Sequence, residues 1–155
     1  MTELISYQEL YRNAVEFLHM RTRFPAQVWP RLGQDLLLVE EADGRPGSLL
    51  FSCRTDRSMS NPISIVHGGV TASLVDTCMG VTCAVHCGNT VTPTVTMTVN
   101  YARPIPLDAD IRVRARTVRY GATSGQMTSE VFLADHPEEI LVTASGVYSI
   151  KRPRP

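Results

Sequence analysis

Asp76 is the only charged residue between Gly68 and Asn100, and it lies in a run of small and apolar residues that opens with His67-Gly68-Gly69. A carboxylate in apolar surroundings is costly to ionise unless something hydrogen-bonds it or a reaction uses it. Asp76 is therefore the first candidate for a general base or nucleophile. The two glycines offer complementary chemistry. At the start of a helix they leave backbone N–H groups unpaired on the positive end of the dipole, with no side chain to block a close ligand. Such amides are ready donors to a developing oxyanion.

Gly68 and Asp76 cannot serve one reacting carbonyl from a single helix. They lie eight positions apart, roughly 12 Å at about 1.5 Å rise per residue. A base and an oxyanion donor must each come within about 3 Å of the reacting atoms. If both serve one reaction, the second group comes from another copy of the chain. Two antiparallel helices about a two-fold axis bring Gly68 of one subunit near Asp76 of the other, giving two equivalent sites per dimer.

The elements that must hold these residues can be read from periodicity. Ser6-x-x-Glu9 is a capping box, and Tyr7, Leu10, Tyr11, Ala14, Phe17 and Leu18 continue at helical spacing to about Met20. Pro25 and Pro30 interrupt the segment after this helix. Asp35 to Glu41 and Gly47 to Arg54 read as a strand pair around Asp43-Gly44. From Gly69 to His86 the apolar and small residues run almost all round, which predicts a helix enclosed by protein at the centre of the fold. Gly88-Asn89 ends it.

Thr90 to Tyr101 then alternates, with Val91, Val95, Met97, Val99 and Tyr101 on one side and Thr92, Thr94, Thr96, Thr98 and Asn100 on the other. This predicts a strand whose apolar side faces the helix. Further strands are expected over Asp110 to Val118, Thr123 to Ala134 and Ile140 to Ile150, linked by Tyr120-Gly121 and His136-Pro137. The sum is an α+β chain, one antiparallel sheet around one buried helix, with a frayed tail from Lys151 to Pro155.

The chain has 155 residues, of which fifteen are basic and fifteen acidic. That length fits a single domain, residues 1–155. With no Lys/Arg run, neither nucleic acid nor a membrane surface is an expected partner. The N-terminus lacks the basic start and apolar run of a signal peptide, and Thr71, Ser73, Asp76, Thr77 and Thr82 interrupt the longest apolar stretch, so a soluble cytoplasmic protein is expected. Cys53, Cys78, Cys83 and Cys87 contain no CxxC pair. Cys83, His86 and Cys87 share a helical face without a fourth ligand nearby, so helix packing is expected rather than a metal.

His67-Gly68-Gly69-Val70, Leu74 and Asp76, preceded by Asn61 and followed by Thr94-x6-Tyr101-x-Arg103-Pro104, resemble the PaaI-like hotdog-fold acyl-CoA thioesterases of phenylacetate degradation. The resemblance spans roughly Leu32 to Ile150, with the helix at about 6–20 added before it. It implies a hotdog fold, a homodimer whose sheets join edge to edge, and often a dimer of dimers. It also implies hydrolysis of an acyl-CoA substrate to free acid and coenzyme A without a cofactor or metal. Carried over residue by residue, the Gly68 amide polarises the thioester carbonyl, and Asp76 of the facing subunit activates water or attacks the carbonyl carbon. Asn61 helps to hold the thioester or water, Thr94 orients the water or the carboxylate, and His67 orients the loop and the N-terminal amides beside Gly69. Simple alternation, however, aims Thr94 away from the helix.

Plainer readings accompany each residue. Asp76 can simply bond Ser73 or a neighbouring strand, and Gly68-Gly69 can simply form a tight turn. Arg112, Arg114 and Arg116 share one side of a strand and, with Arg103, suit coenzyme A phosphates, although alternating charges also describe a solvated face. Tyr7, Tyr11 and Phe17 either line an acyl pocket or dock the first helix. Two other functions use the same fold: a non-catalytic acyl-CoA binder and an enoyl-CoA hydratase or dehydratase. The latter is expected to use a His base with an acid partner, and no Asp or Glu stands close to His67 in sequence.

Overall fold

Ser6 opens the first helix. Its hydroxyl accepts from the Glu9 amide at 3.3 Å and its carbonyl from the Leu10 amide at 3.0 Å, satisfying first-turn donors that have no helical partner. Helix α1, Tyr7–Arg21, then buries Tyr7, Leu10 and Ala14. The computed structural model describes residues 3–21, 36–42 and 44–151. Leu32, Pro25, Pro30, Asp35, Asp43 and the tail 152–155 lie outside the described residues.

The strands are β1 (Leu37–Val39), β2 (Ser48–Arg54), β3 (Thr94–Tyr101), β4 (Asp110–Tyr120), β5 (Ser124–Leu133) and β6 (His136–Ser149), and helix α2 is Gly68–His86. They form one antiparallel sheet in the order β1-β2-β4-β5-β6-β3, packed against α2 as expected. Alternation decides which side chains meet the helix. Leu49, Phe51 and Cys53 of β2, Ile111, Val113 and Ala115 of β4, and Met127 and Val131 of β5 are buried, while Arg112, Thr128 and Glu130 point outward between them. Each large apolar side chain buried this way contributes about 1.5–3 kcal/mol.

Three features depart from the expected layout. The alternating run begins its ladder at Thr94 rather than Thr90, because Pro93 has no N–H to pair. Thr94 then pairs with Tyr148 and Thr96 with Val147, leaving Val95 as the extra residue of a bulge. The bulge breaks the alternation, turning Thr94 toward the helix and leaving Val95 64% exposed. The β5–β6 turn falls at Ala134-Asp135 rather than His136-Pro137. Leu133 pairs with His136 and Phe132 with Ile140, so Pro137 sits in an irregular stretch of β6 where its missing N–H is tolerated.

The third departure concerns α2. Val81 to His86 are all buried, but Gly69, Ala72, Ser73, Asp76, Thr77 and Gly80 form a stripe that none of the described residues fully covers. By length and composition alone α2 could cross a membrane, yet its remaining faces pack on the sheet and α1. The Gly88 amide returns to Val85 and the Asn89 amide to Ala84, with both residues at positive φ, which ends the helix where expected.

Candidate functional site

The Asp76 end of the stripe is a cleft of about 580 Å³, floored by Gly80, Val81 and Ala84 and edged by Phe17, Val91 and Pro93. Asp76 is half-buried at its upper end. The Thr94 hydroxyl donates to Asp76 Oδ1 at 2.8 Å, and the Tyr148 hydroxyl donates to the same oxygen at 2.8 Å. Oδ2 has no protein partner among the described residues. Burial, and secondarily the carboxylate beside it, pushes the Tyr148 phenol above its ordinary range, so it keeps its proton and stays a donor. The bulge at Val95 is what brings Thr94 to this position.

The other end of the stripe is the corner where the chain enters α2. His67 is the N-cap, and its Nδ1 accepts from the Gly69 amide at 2.9 Å. That ring nitrogen therefore serves as the acceptor of the cap. This corrects the expectation that both glycine amides stand open: Gly69 is capped, and Gly68 alone has an N–H without an acceptor among the described residues. Tyr101 donates to the Gly68 carbonyl at 2.8 Å. The Val66 amide bonds Ile105 at 3.0 Å and the His67 amide bonds Met59 at 2.7 Å, which anchors the entry loop.

Asn61 braces that loop. Its Oδ1 accepts from the Ile63 and Ile65 amides at 3.0 and 3.2 Å, holding Ser64 at φ 62°, where a non-glycine residue is strained. The carboxamide nitrogen is left to donate elsewhere. Asn61, Gly68, Tyr101 and Arg103 line a second cleft of about 330 Å³. The structure thus brings Asn61, His67, Gly68, Gly69 and Arg103 together at one end of α2, and Asp76 and Thr94 together at the other.

Arg112 and Arg114 fall outside both clefts. They point from the sheet face opposite α2. Arg114 is held by Glu41 at 3.0 Å and Glu130 at 3.8 Å and lies over the Phe132 ring. Arg103, at the mouth of the Gly68 cleft, pairs with Glu139 at 2.6 Å. Of the α1 aromatics, only Phe17 lines the Asp76 cleft, while Tyr7 is buried and donates or accepts at Val39 and Glu41. The His86 Nε2 accepts from the Ile5 amide at 3.4 Å, and burial lowers this histidine to about 4, keeping it neutral. Cys83 packs on Gly125. No three of the described His, Cys, Asp and Glu residues are grouped to hold a metal.

Sequence reasoning missed Tyr148, which lies 72 residues from Asp76 along the chain. Its signal is faint but physical. It is a tyrosine in a row of inward-facing small and apolar residues, Val142, Ala144, Gly146 and Ile150, and a buried phenol needs a partner.

A single long helix against a six-stranded antiparallel sheet, with a carboxylate and an open N-terminal amide on one exposed stripe, defines a hotdog-fold protein. A sequence model of the thioesterase superfamily matches residues 64–140, from the loop before α2 into β6, so the chain carries a thioesterase superfamily domain there. Human acyl-coenzyme A thioesterase 13 is 32% identical over 80 residues, which cover 50% of this chain and 56% of that protein, so the chain spans little more than half the length of this curated relative. The E. coli PaaI protein from the phenylacetic acid degradation operon superposes with a TM-score of 0.76 at 17% identity, covering 92% of this chain and 96% of that one. A hypothetical thioesterase from Streptococcus pneumoniae TIGR4, solved with coenzyme A, gives 0.67 at 17% identity over 79% and 93%. These two structures share the fold.

Proposed function

We propose that this protein hydrolyses an acyl-CoA thioester to the free acid and coenzyme A, at sites shared between two copies of the chain. The observation that carries this reading is the separation of one constellation into two halves. The braced Asp76 carboxylate faces one cleft, and the Gly68 amide faces another whose lining, among the described residues, holds no carboxylate. The name of the human relative, an acyl-coenzyme A thioesterase, and the coenzyme A in the streptococcal structure support the substrate class.

β3 supplies the geometry for joining the halves. It is an edge strand whose outer ladder is unpaired among the described residues, with Val95 and Tyr101 exposed along it. Thr94 and Tyr101 are its two ends. Antiparallel pairing with a second β3, about a two-fold axis between Met97 and Thr98, sets Thr94 opposite Tyr101 of the partner subunit. The Asp76 half of one subunit then meets the Gly68 half of the other, and the uncovered stripes of the two helices face each other.

In that site the thioester oxygen accepts from the Gly68 amide, aided by the Asn61 carboxamide. Asp76 Oδ2 removes a proton from water, or attacks the carbonyl carbon itself. The carbon–sulfur bond breaks, and coenzyme A leaves as the thiol after taking a proton. Water is the only co-substrate the reaction requires. The acyl group lies over Gly80 and Ala84, while Arg103 exchanges Glu139 for a phosphate at the cleft mouth.

Asp76→Asn tests the reading. Thiol release across a panel of acyl-CoA and acyl-carrier-protein thioesters is expected to fall about 10²–10⁴-fold on the best substrate, with the assembly still folded by circular dichroism. Undiminished hydrolysis contradicts the mechanism. Tight binding of acyl-CoA with no thiol release by the unaltered protein favours the binder instead.

A further inference from the structure

Tyr148 occupies a slot shaped for its ring. A Cβ added at Gly146 would come within 3.1 Å of the ring and one at Gly80 within 3.5 Å, so a side chain from β6 would crowd it and one from α2 would touch it. The ring is 1% exposed, and its hydroxyl reaches Asp76 Oδ1 at 2.8 Å and the Asp76 carbonyl at 3.2 Å. A hydroxyl has one proton, and the charged oxygen is the stronger acceptor. Thr94 donates to the same Oδ1. Two donors on one oxygen fix the rotation of the carboxylate and leave Oδ2 as its only unoccupied oxygen among the described residues.

We propose that Tyr148 is a positioning residue for thioester hydrolysis: together with Thr94 it locks Asp76 Oδ1 and presents Oδ2 as the reacting oxygen. The inference rests on the role of Asp76 given above. Tyr148 touches no reacting atom and acts through Asp76. This role also accounts for two glycines: Gly80 and Gly146 keep the slot open so that a full-sized buried phenol can reach the carboxylate from the sheet.

The test uses Tyr148→Phe, Thr94→Val and the double variant in the full chain, with kcat and KM measured by thiol release from acyl-CoA across pH. Tyr148→Phe removes one oxygen and keeps the ring in its slot, so the fold is retained. Its kcat is expected to fall about tenfold, the loss expected for one hydrogen bond to a charged group, with KM little changed. The shape of its kcat–pH profile is expected to change, because the donors to the carboxylate have changed. A smaller folded fraction would lower that profile without reshaping it, so a merely structural role would not produce the change. The double variant falls by more than the product of the single effects, since either donor alone still restrains the carboxylate. If Asp76→Asn is inactive while Tyr148→Phe keeps both kcat and the pH profile of the unaltered protein, the role of Tyr148 is overturned and that of Asp76 stands. An active Asp76→Asn overturns both.

Discussion

The two ends of the stripe on α2 are built on opposite plans. At the Asp76 end the proposed reacting group is a side chain, half-buried and bound by hydroxyls from β3 and β6 that arrive across the core. At the Gly68 end it is a backbone amide, and the groups around it are local and open to solvent: a cap two residues from the amide that donates to it and a loop closed by Asn61. Each end has a bracing tyrosine, yet Tyr148 is 1% exposed and Tyr101 53%. A flexible charged group needs distant, desolvated donors to fix it, whereas an amide inherits its direction from the helix. Deleting a side chain should therefore break the first end, but only removing the N–H should break the second.

Gly68→Pro sharpens this contrast most. Proline fits the first position of a helix, and His67 at φ −63° and ψ 134° is already in the extended conformation that precedes proline. The substitution removes the amide proton and keeps the backbone, so kcat for thiol release should fall about 10²–10³-fold with helix content unchanged. Gly68→Ala keeps the proton and brings a Cβ only to 3.4 Å from the Tyr101 ring, so it should retain activity within a few-fold. Equal activity of the two variants would break the comparison.

A smaller effect separates the two glycines. A Cβ at Gly69 would lie 3.1 Å from His67 Nδ1, crowding the cap. Gly69→Ala should cost about 1 kcal/mol, the typical worth of an N-cap, read as a lowered midpoint in thermal unfolding. An unchanged midpoint would show that the His67 cap contributes nothing.

Most of the framework was legible because it rests on local chemistry. Ser6 and Glu9 start α1, the apolar run from Gly69 fixes α2, and Gly88-Asn89 ends it, all through interactions within a few residues. The features that the pattern concealed depend on register and distance. A single extra residue at Val95 reverses the facing of Thr94, and nothing short of the β3–β6 pairing reveals it. Tyr148 joins Asp76 only once β6 packs across α2. The all-round apolarity of α2 suggested full enclosure, whereas the described residues enclose every side only over its C-terminal turns, and the stripe left open carries Asp76. His67-Gly68-Gly69 marked the right corner without showing that one amide is capped and one is open.

The claim that a site is assembled from two copies is tested most directly by mixed dimers. Asp76→Ala and Gly68→Pro chains, carrying different tags, are co-expressed, and the mixed dimer is isolated and assayed for thiol release. Each variant alone is expected to be nearly inactive. The mixed dimer holds one site with both defects and one with neither, so it should recover about half the turnover of the unaltered dimer. A mixed dimer no more active than either parent would show that Asp76 and Gly68 of different chains do not act together.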